Sequence, residues 1–139
     1  MSKPVNTNPP GHPPFAPTYS HISTVSVNAS SKLISFAGQI GYDPVSKSTP
    51  PGFPAQVTLA LENLSKCLQT AGAEKTDIVQ VRHYVVGMSK LSQEEKQARS
   101  KIYSEWIGDW KPPSTLIGVE SLAAPEFLYE IEVVAVVNA

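Results

Sequence analysis

The chain predicts a single α+β domain in which a mostly antiparallel sheet carries two helices on one face. Three observations point there. Apolar and polar residues alternate from His21 to Val27 and again from Lys32 to Ala37, with Asn28–Ser31 supplying a turn between them, the pattern of a half-buried hairpin. Two later segments repeat apolar residues every three or four positions, as amphipathic helices do. The last segment, Tyr129–Val137, is an apolar strand interrupted only by Glu130 and Glu132.

Each element has its own warrant. Residues 1–18 hold six of the thirteen prolines and no apolar period, so they are expected as a flexible or extended arm ahead of a domain spanning 19–139. The hairpin ends in Gly38-Gln39-Ile40-Gly41. Two glycines there suit a bulge or a close approach by a ligand or another strand. The strand-to-helix spacing of a nucleotide phosphate loop is missing. From Gln56 to Thr70, Val57, Ala60, Leu61, Leu64, Cys67 and Leu68 form one helical stripe, and Ala71-Gly72 is its stop. Cys67 lies on that stripe and is read as core packing rather than as a nucleophile.

Ile78–Val86 is the next strand, with Val79, Val81, His83 and Val85 expected on one side and Gln80, Arg82, Tyr84 and Val86 on the other. His83 is read as a satisfied core or interface histidine, since no metal-ligand spacing surrounds it. Ser92 with Glu95 opens a second helix, expected to Trp106, through a capping box. Trp106 and Trp110 are read as core or interface aromatics. The strand after Lys111-Pro112-Pro113 and the terminal strand complete the order strand, strand, helix, strand, helix, strand, strand. Apolar residues such as Val79, Val81, Val85, Ile131 and Val133 are expected on both sheet faces, so the bare face should pack against other copies of the chain.

Composition narrows the function classes. A chain of 139 residues, 41% of them hydrophobic, builds one ordinary core. Eleven Lys and Arg against twelve acids give a net charge of −1, which is no footprint for nucleic acid. The lone Cys67 cannot form an intramolecular disulfide and fits a reducing compartment. No apolar run approaches a transmembrane length. The expectation is a cytoplasmic protein with neither membrane nor nucleic-acid partners.

The chemistry concentrates on the last strand. Glu130 and Glu132 fall on one face because side chains alternate with a period of two. That face must be wet, paired or functional, since burying two unpaired carboxylates side by side is costly or raises one pKa.

These residues together resemble the Rid family, the YjgF or reactive intermediate deaminase proteins also labelled L-PSP endoribonuclease-like. The carriers are Phe36-Ala37-Gly38-Gln39-Ile40, Gln56 with Leu64 and Ala71-Gly72-Ala73, Asp77-Ile78-Val79-Gln80-Val81, and Glu130-Ile131-Glu132-Val133-Val134-Ala135. The resemblance implies a chorismate-mutase-like fold, a homotrimer with a central barrel, intersubunit pockets for a small molecule, and neither metal nor organic cofactor. Deaminating members hold a substrate carboxylate with an arginine in a Pro-Ala-Arg-Ser type run, where a guanidinium clamps it bidentately. The corresponding run here is Pro112-Pro113-Ser114-Thr115, so a hydroxyl stands at the arginine position. In this the chain resembles the YjgH-like branch.

Glu130 then matches the family's pocket glutamate and is the candidate catalytic acid or base. Gly38, Gln39 and Tyr19 are candidate binding residues, with Ser114 and Thr115 as donors to a neutral carbonyl. Arg82 is either an ordinary ion-pair partner or a cation returned to the cleft. The functional expectation is acid–base chemistry on a carbonyl- or imine-bearing metabolite, against a non-catalytic ligand-binding or chaperone-like trimer. Imine deamination and RNA cleavage are the further alternatives.

Overall fold

The computed structural model describes residues 3–138. Its strands are β1 (Val5–Thr7), β2 (Ile22–Ser26), β3 (Ser31–Phe36), β4 (Gln39–Ile40), β5 (Ile78–Val86), β6 (Ser114–Val119) and β7 (Tyr129–Asn138), with helices α1 (Phe53–Ala71) and α2 (Gln93–Ile107). They form one sheet in the order β1-β2-β3-β7-β5-β6, with β4 also paired to β7. Every pairing is antiparallel except β5 with β6. The fold is the expected α+β arrangement with a mixed, mostly antiparallel sheet.

The helix limits follow from local chemistry. Pro54 stands in the first turn of α1, where its missing N–H costs nothing, and this carries the helix three residues earlier than the apolar stripe indicated. Gly72 ends it in the left-handed region, φ 73°, donating to the Gln69 and Leu68 carbonyls. At the start of α2, Glu95 N donates to Ser92 Oγ and Ser92 N to Glu95 Oε1, each at 3.1 Å. That reciprocal capping box is the one the sequence shows.

The core lies between α1 and the sheet. Val57, Ala60, Leu61, Leu64, Cys67 and Leu68 pack on Ile34, Phe36, Val81, Val85, Ile131, Val133 and Ala135. Val81, Val85, Ile131 and Val133 therefore face the helices, not the open side where they were expected to help cover other copies. Val79 departs differently: the β5–β7 register slips between Ile78 and Gln80. With one extra residue in the strand, Ile78 and Val81 are both buried and Val79 is exposed. The apolar part of the open face is instead carried by Val25, Leu33 and Val136, which neighbour one another across β2, β3 and β7.

The arm is docked on the body. Val5–Thr7 pairs with β2, and His12, expected outside the core, is buried. Its ring stacks on His21 with centroids 4.4 Å apart. This docking carries residues 15–19 to the cleft described next.

Candidate functional site

The interruption between β3 and β4 creates the cleft. Ala37 and Gly38 separate the two strands, both of which pair with β7. Glu130 projects from β7 into a cavity of about 530 Å³ lined by Phe15, Thr18, Tyr19, Gly38, Ile40 and Glu130 itself. Gly38 leaves room for this side chain: a Cβ on it would overlap Glu130 Oε2 and displace the carboxylate. Gly41 answers a different approach, since a Cβ there would sit 2.7 Å from Gln56 Cα on α1. The first of the two glycines thus makes room for the Glu130 carboxylate and the second serves packing.

The Glu130 carboxylate makes no hydrogen bond or ion pair among the described residues. Burial raises its pKa, and the nearby Glu132 charge raises it further. Glu132 shares the face but is tied down, accepting from Arg82 Nη1 at 3.3 Å and from Tyr84 Oη at 2.9 Å. The register explains the difference, because Arg82 lies directly opposite Glu132 and Tyr84 opposite Glu130. Tyr84 reaches diagonally to Glu132 and leaves Glu130 open to the cavity. Tyr19 hydroxyl, held by the Phe15 amide at 3.0 Å, has its pKa raised chiefly by burial.

Glu130, Gly38 and Tyr19 are thus brought together, and the other candidates lie elsewhere. Gln39 points to the opposite, buried side. Its Oε1 accepts from His12 Nε2 at 3.0 Å and its Nε2 donates to His21 Nδ1 at 2.8 Å, so it anchors the arm. Arg82 takes the ion-pair role. Thr115 is the register neighbour of Arg82 on the open face, and Ser114 is the neighbour of Val81 on the helix side. Within one protomer, β5 separates both from the strand that carries Glu130.

Three buried groups have the composition of a metal site: His12, His21 and Cys67 hold ligand atoms within 4.8 Å of one another. Their geometry does not fit an ion. The two rings are stacked, 12° from parallel, so their in-plane lone pairs do not converge on one point. The His21 Nδ1 that accepts from Gln39 leaves the ring proton on Nε2. Burial pushes the Cys67 thiol up to about 12, as for a packing residue. Burial first, and then His12, lowers the His21 pKa, against the Pro13 carbonyl.

Two buried polar residues flank this region, and only the backbone contacts of the first had no signal in the periodicity. Gln56, fully buried, donates to the Pro50 and Glu126 carbonyls and accepts from Leu128 N at 2.9 Å, fixing the approach to β7. His83 is buried and bonded to Tyr129 Oη at 2.7 Å, the satisfied core histidine expected.

Residues 13–137 match the Endoribonuclease L-PSP family. A RutC family protein of Aquifex aeolicus is 31% identical over 102 residues, 72% of this chain and 77% of that protein. The structure of the protein YJGH superposes with a TM-score of 0.81 at 25% identity, covering 99% of each chain. A Mycobacterium tuberculosis member of the YjgF/YER057c/UK114 family gives 0.67 at 26% identity, over 84% of this chain and 85% of that one. No helix among the described residues is long and apolar enough to cross a membrane. The chain belongs to the L-PSP endoribonuclease family, within the Rid superfamily that its sequence resembles.

Proposed function

We propose that the protein is a homotrimer whose clefts bind a small carbonyl- or imine-bearing metabolite, with Glu130 as the proton-transferring group. The observation that carries this is an unpaired, cavity-facing carboxylate with a raised pKa. A carboxyl that holds its proton closer to neutrality can donate to a carbonyl oxygen or imine nitrogen, and its conjugate base can take a proton from water. In imine hydrolysis, water adds to the C=N carbon, the nitrogen gains protons and leaves as ammonia, and a carbonyl remains. Gly38 leaves the backbone open to the ligand, and Tyr19 supplies a hydroxyl to the wall.

Ser114 and Thr115 support the intersubunit part of the proposal, because one protomer does not bring them to Glu130. A second copy would have to present them. The half-buried apolar stripe of Val25, Leu33 and Val136 on the open face is a surface such a copy would cover. A second reading, a ligand-binding or chaperone-like trimer without turnover, draws on the hydroxyl at Ser114, which supplies no charge for a carboxylate. The same substitution predicts little hydrolysis of 2-aminoacrylate and related imino acids. RNA cleavage, the activity in the family's name, finds little support in a net charge of −1.

Sedimentation combined with a carbonyl-release assay over a panel of small imines tests the proposal. A trimer that turns over at least one imine, with turnover lost in Glu130→Gln, is the expected result. A monomer at micromolar concentration would overturn the intersubunit cleft, and a trimer that binds without turnover would select the second reading. Ser114→Arg should raise activity on 2-aminoacrylate if the missing charge is what limits it.

A further inference from the structure

The N-terminal arm is fastened to the body by Gln39, which lies between two imidazoles. The orientation of its amide is fixed, because Nε2 also donates to the Ala37 carbonyl at 3.2 Å. Oε1 is therefore the side that meets His12 Nε2, and Nε2 the side that meets His21 Nδ1. The tautomers follow. His12 presents N–H from Nε2, while His21 Nδ1 must be bare to accept from the amide. A proton on His21 Nδ1 would set one donor against another.

The stack adds to that constraint. The two rings are each 4% exposed and 4.4 Å apart, and neither forms a salt bridge among the described residues. The titratable side chains that face the pair are Cys67 from α1, with Tyr19 and Tyr42 beside it. Burial pushes the Cys67 thiol up to about 12 and raises the Tyr19 hydroxyl, so neither offers a counter-charge. For His21, burial and then His12 work against a proton, and the Pro13 carbonyl favours it less. His12 Nδ1 and His21 Nε2 are buried without a hydrogen-bond partner, so the arm is closed at a cost.

What this clasp holds is one wall of the Glu130 cavity. Pro13, Pro14 and Pro17 stiffen the run from His12 to Tyr19. Phe15 packs edge-on against Tyr42 and Phe127, and its amide donates to the Tyr19 hydroxyl. Phe15, Thr18 and Tyr19 then line the cavity. We propose that the arm is a pH-gated wall of the Glu130 cleft: the His12–Gln39–His21 clasp positions Phe15 and Tyr19 over the cavity at neutral pH and releases them when His21 takes up a proton. The docked form has the lower affinity for that proton. Docking is therefore fully favoured above pH 6.5, the ordinary histidine value, and weakens as the pH falls below it, by up to about tenfold per pH unit. That the wall serves a ligand rests on the cleft reading given above; the closure itself does not.

Incorporation of 4-fluorophenylalanine at the four phenylalanines, followed by ¹⁹F NMR from about pH 8 to about pH 5, tests the proposal without any ligand. Phe15 is assigned by its loss in Phe15→Leu. Its resonance should move toward that of the free amino acid below pH 6.5 and Phe127 should move with it, while Phe53 in the core stays in place. His21→Gln supplies an amide oxygen that accepts but does not titrate, so it should keep the arm docked and lower the transition by at least about one pH unit. Gln39→Leu, which removes both bonds, should release Phe15 at every pH. Glu130→Gln should leave the transition in place, whether or not the cleft turns a substrate over. A Phe15 signal that moves only with Phe53, an unchanged transition in His21→Gln, a docked Phe15 in Gln39→Leu, or a transition lost in Glu130→Gln would each overturn the clasp. The titration of the unaltered protein decides even if the variants fold poorly.

Discussion

Glu130 and Glu132 stand two residues apart on one strand face, yet their surroundings are opposite. Glu132 is matched by a cation and a hydroxyl from β5. Glu130 faces a cavity with no partner for its carboxylate among the described residues, and that carboxylate rests over Gly38, where a Cβ would displace it. Strand register produces the division: a tyrosine opposite Glu130 that leans to its neighbour leaves one carboxylate neutralised and the other available. An unpaired carboxylate in a half-buried site works against stability, so its presence is better explained by chemistry than by folding.

The largest expected effect is on turnover. Glu130→Gln should lower it by roughly 10²–10⁴-fold, the usual range for losing a general acid or base. The melting temperature should not fall, because the fold disfavours the charged form of Glu130 in the first place. A matching loss from Glu132→Gln would mean the two roles are reversed. Gly38→Ala should come next, at about a hundredfold, since the added methyl forces the carboxylate from its position. An active Gly38→Ala variant would show that the carboxylate need not sit where the cleft holds it.

Acid should break the fold before it breaks the contrast between the two glutamates. Burial, and then the Arg99 charge, lower the His83 pKa from 6.5 to about 4. The unfolded chain therefore takes up a proton near pH 6.5 while the folded chain resists until about pH 4. His83 costs nothing above 6.5, and stability falls as the pH drops from 6.5 to 4, by roughly 3 kcal/mol in all. His21, also lowered, adds in the same direction. Denaturant melts between pH 7 and 4 check this, and His83→Gln should flatten the slope. The smallest effect belongs to the Arg82–Glu132 pair. With both side chains partly exposed, a double-mutant cycle should give about 1 kcal/mol or less.

Much of this was legible in the sequence, and the remainder was not for identifiable reasons. Period-two alternation was enough to put Glu130 and Glu132 on one face, and the capping box marked the start of α2. The partners of Glu132 depended on the register of strands about 50 residues apart, which no local pattern carries. Val79 was misplaced because a bulge breaks the alternation without any glycine or proline to announce it. Val5–Thr7 is too short to show a period, and it is a strand only through its pairing with β2. His12 gave no apolar signal because a side chain 27 residues away, Gln39, satisfies it in the interior.

The protonation of Glu130 tests the central claim most directly. A ¹³C NMR pH titration of the glutamate carboxyls, with Glu130 assigned by its loss in Glu130→Gln, should give a midpoint above the ordinary 4.5. A midpoint at or below that value would show a carboxylate satisfied like its neighbour, and would contradict its assignment as the proton-handling group.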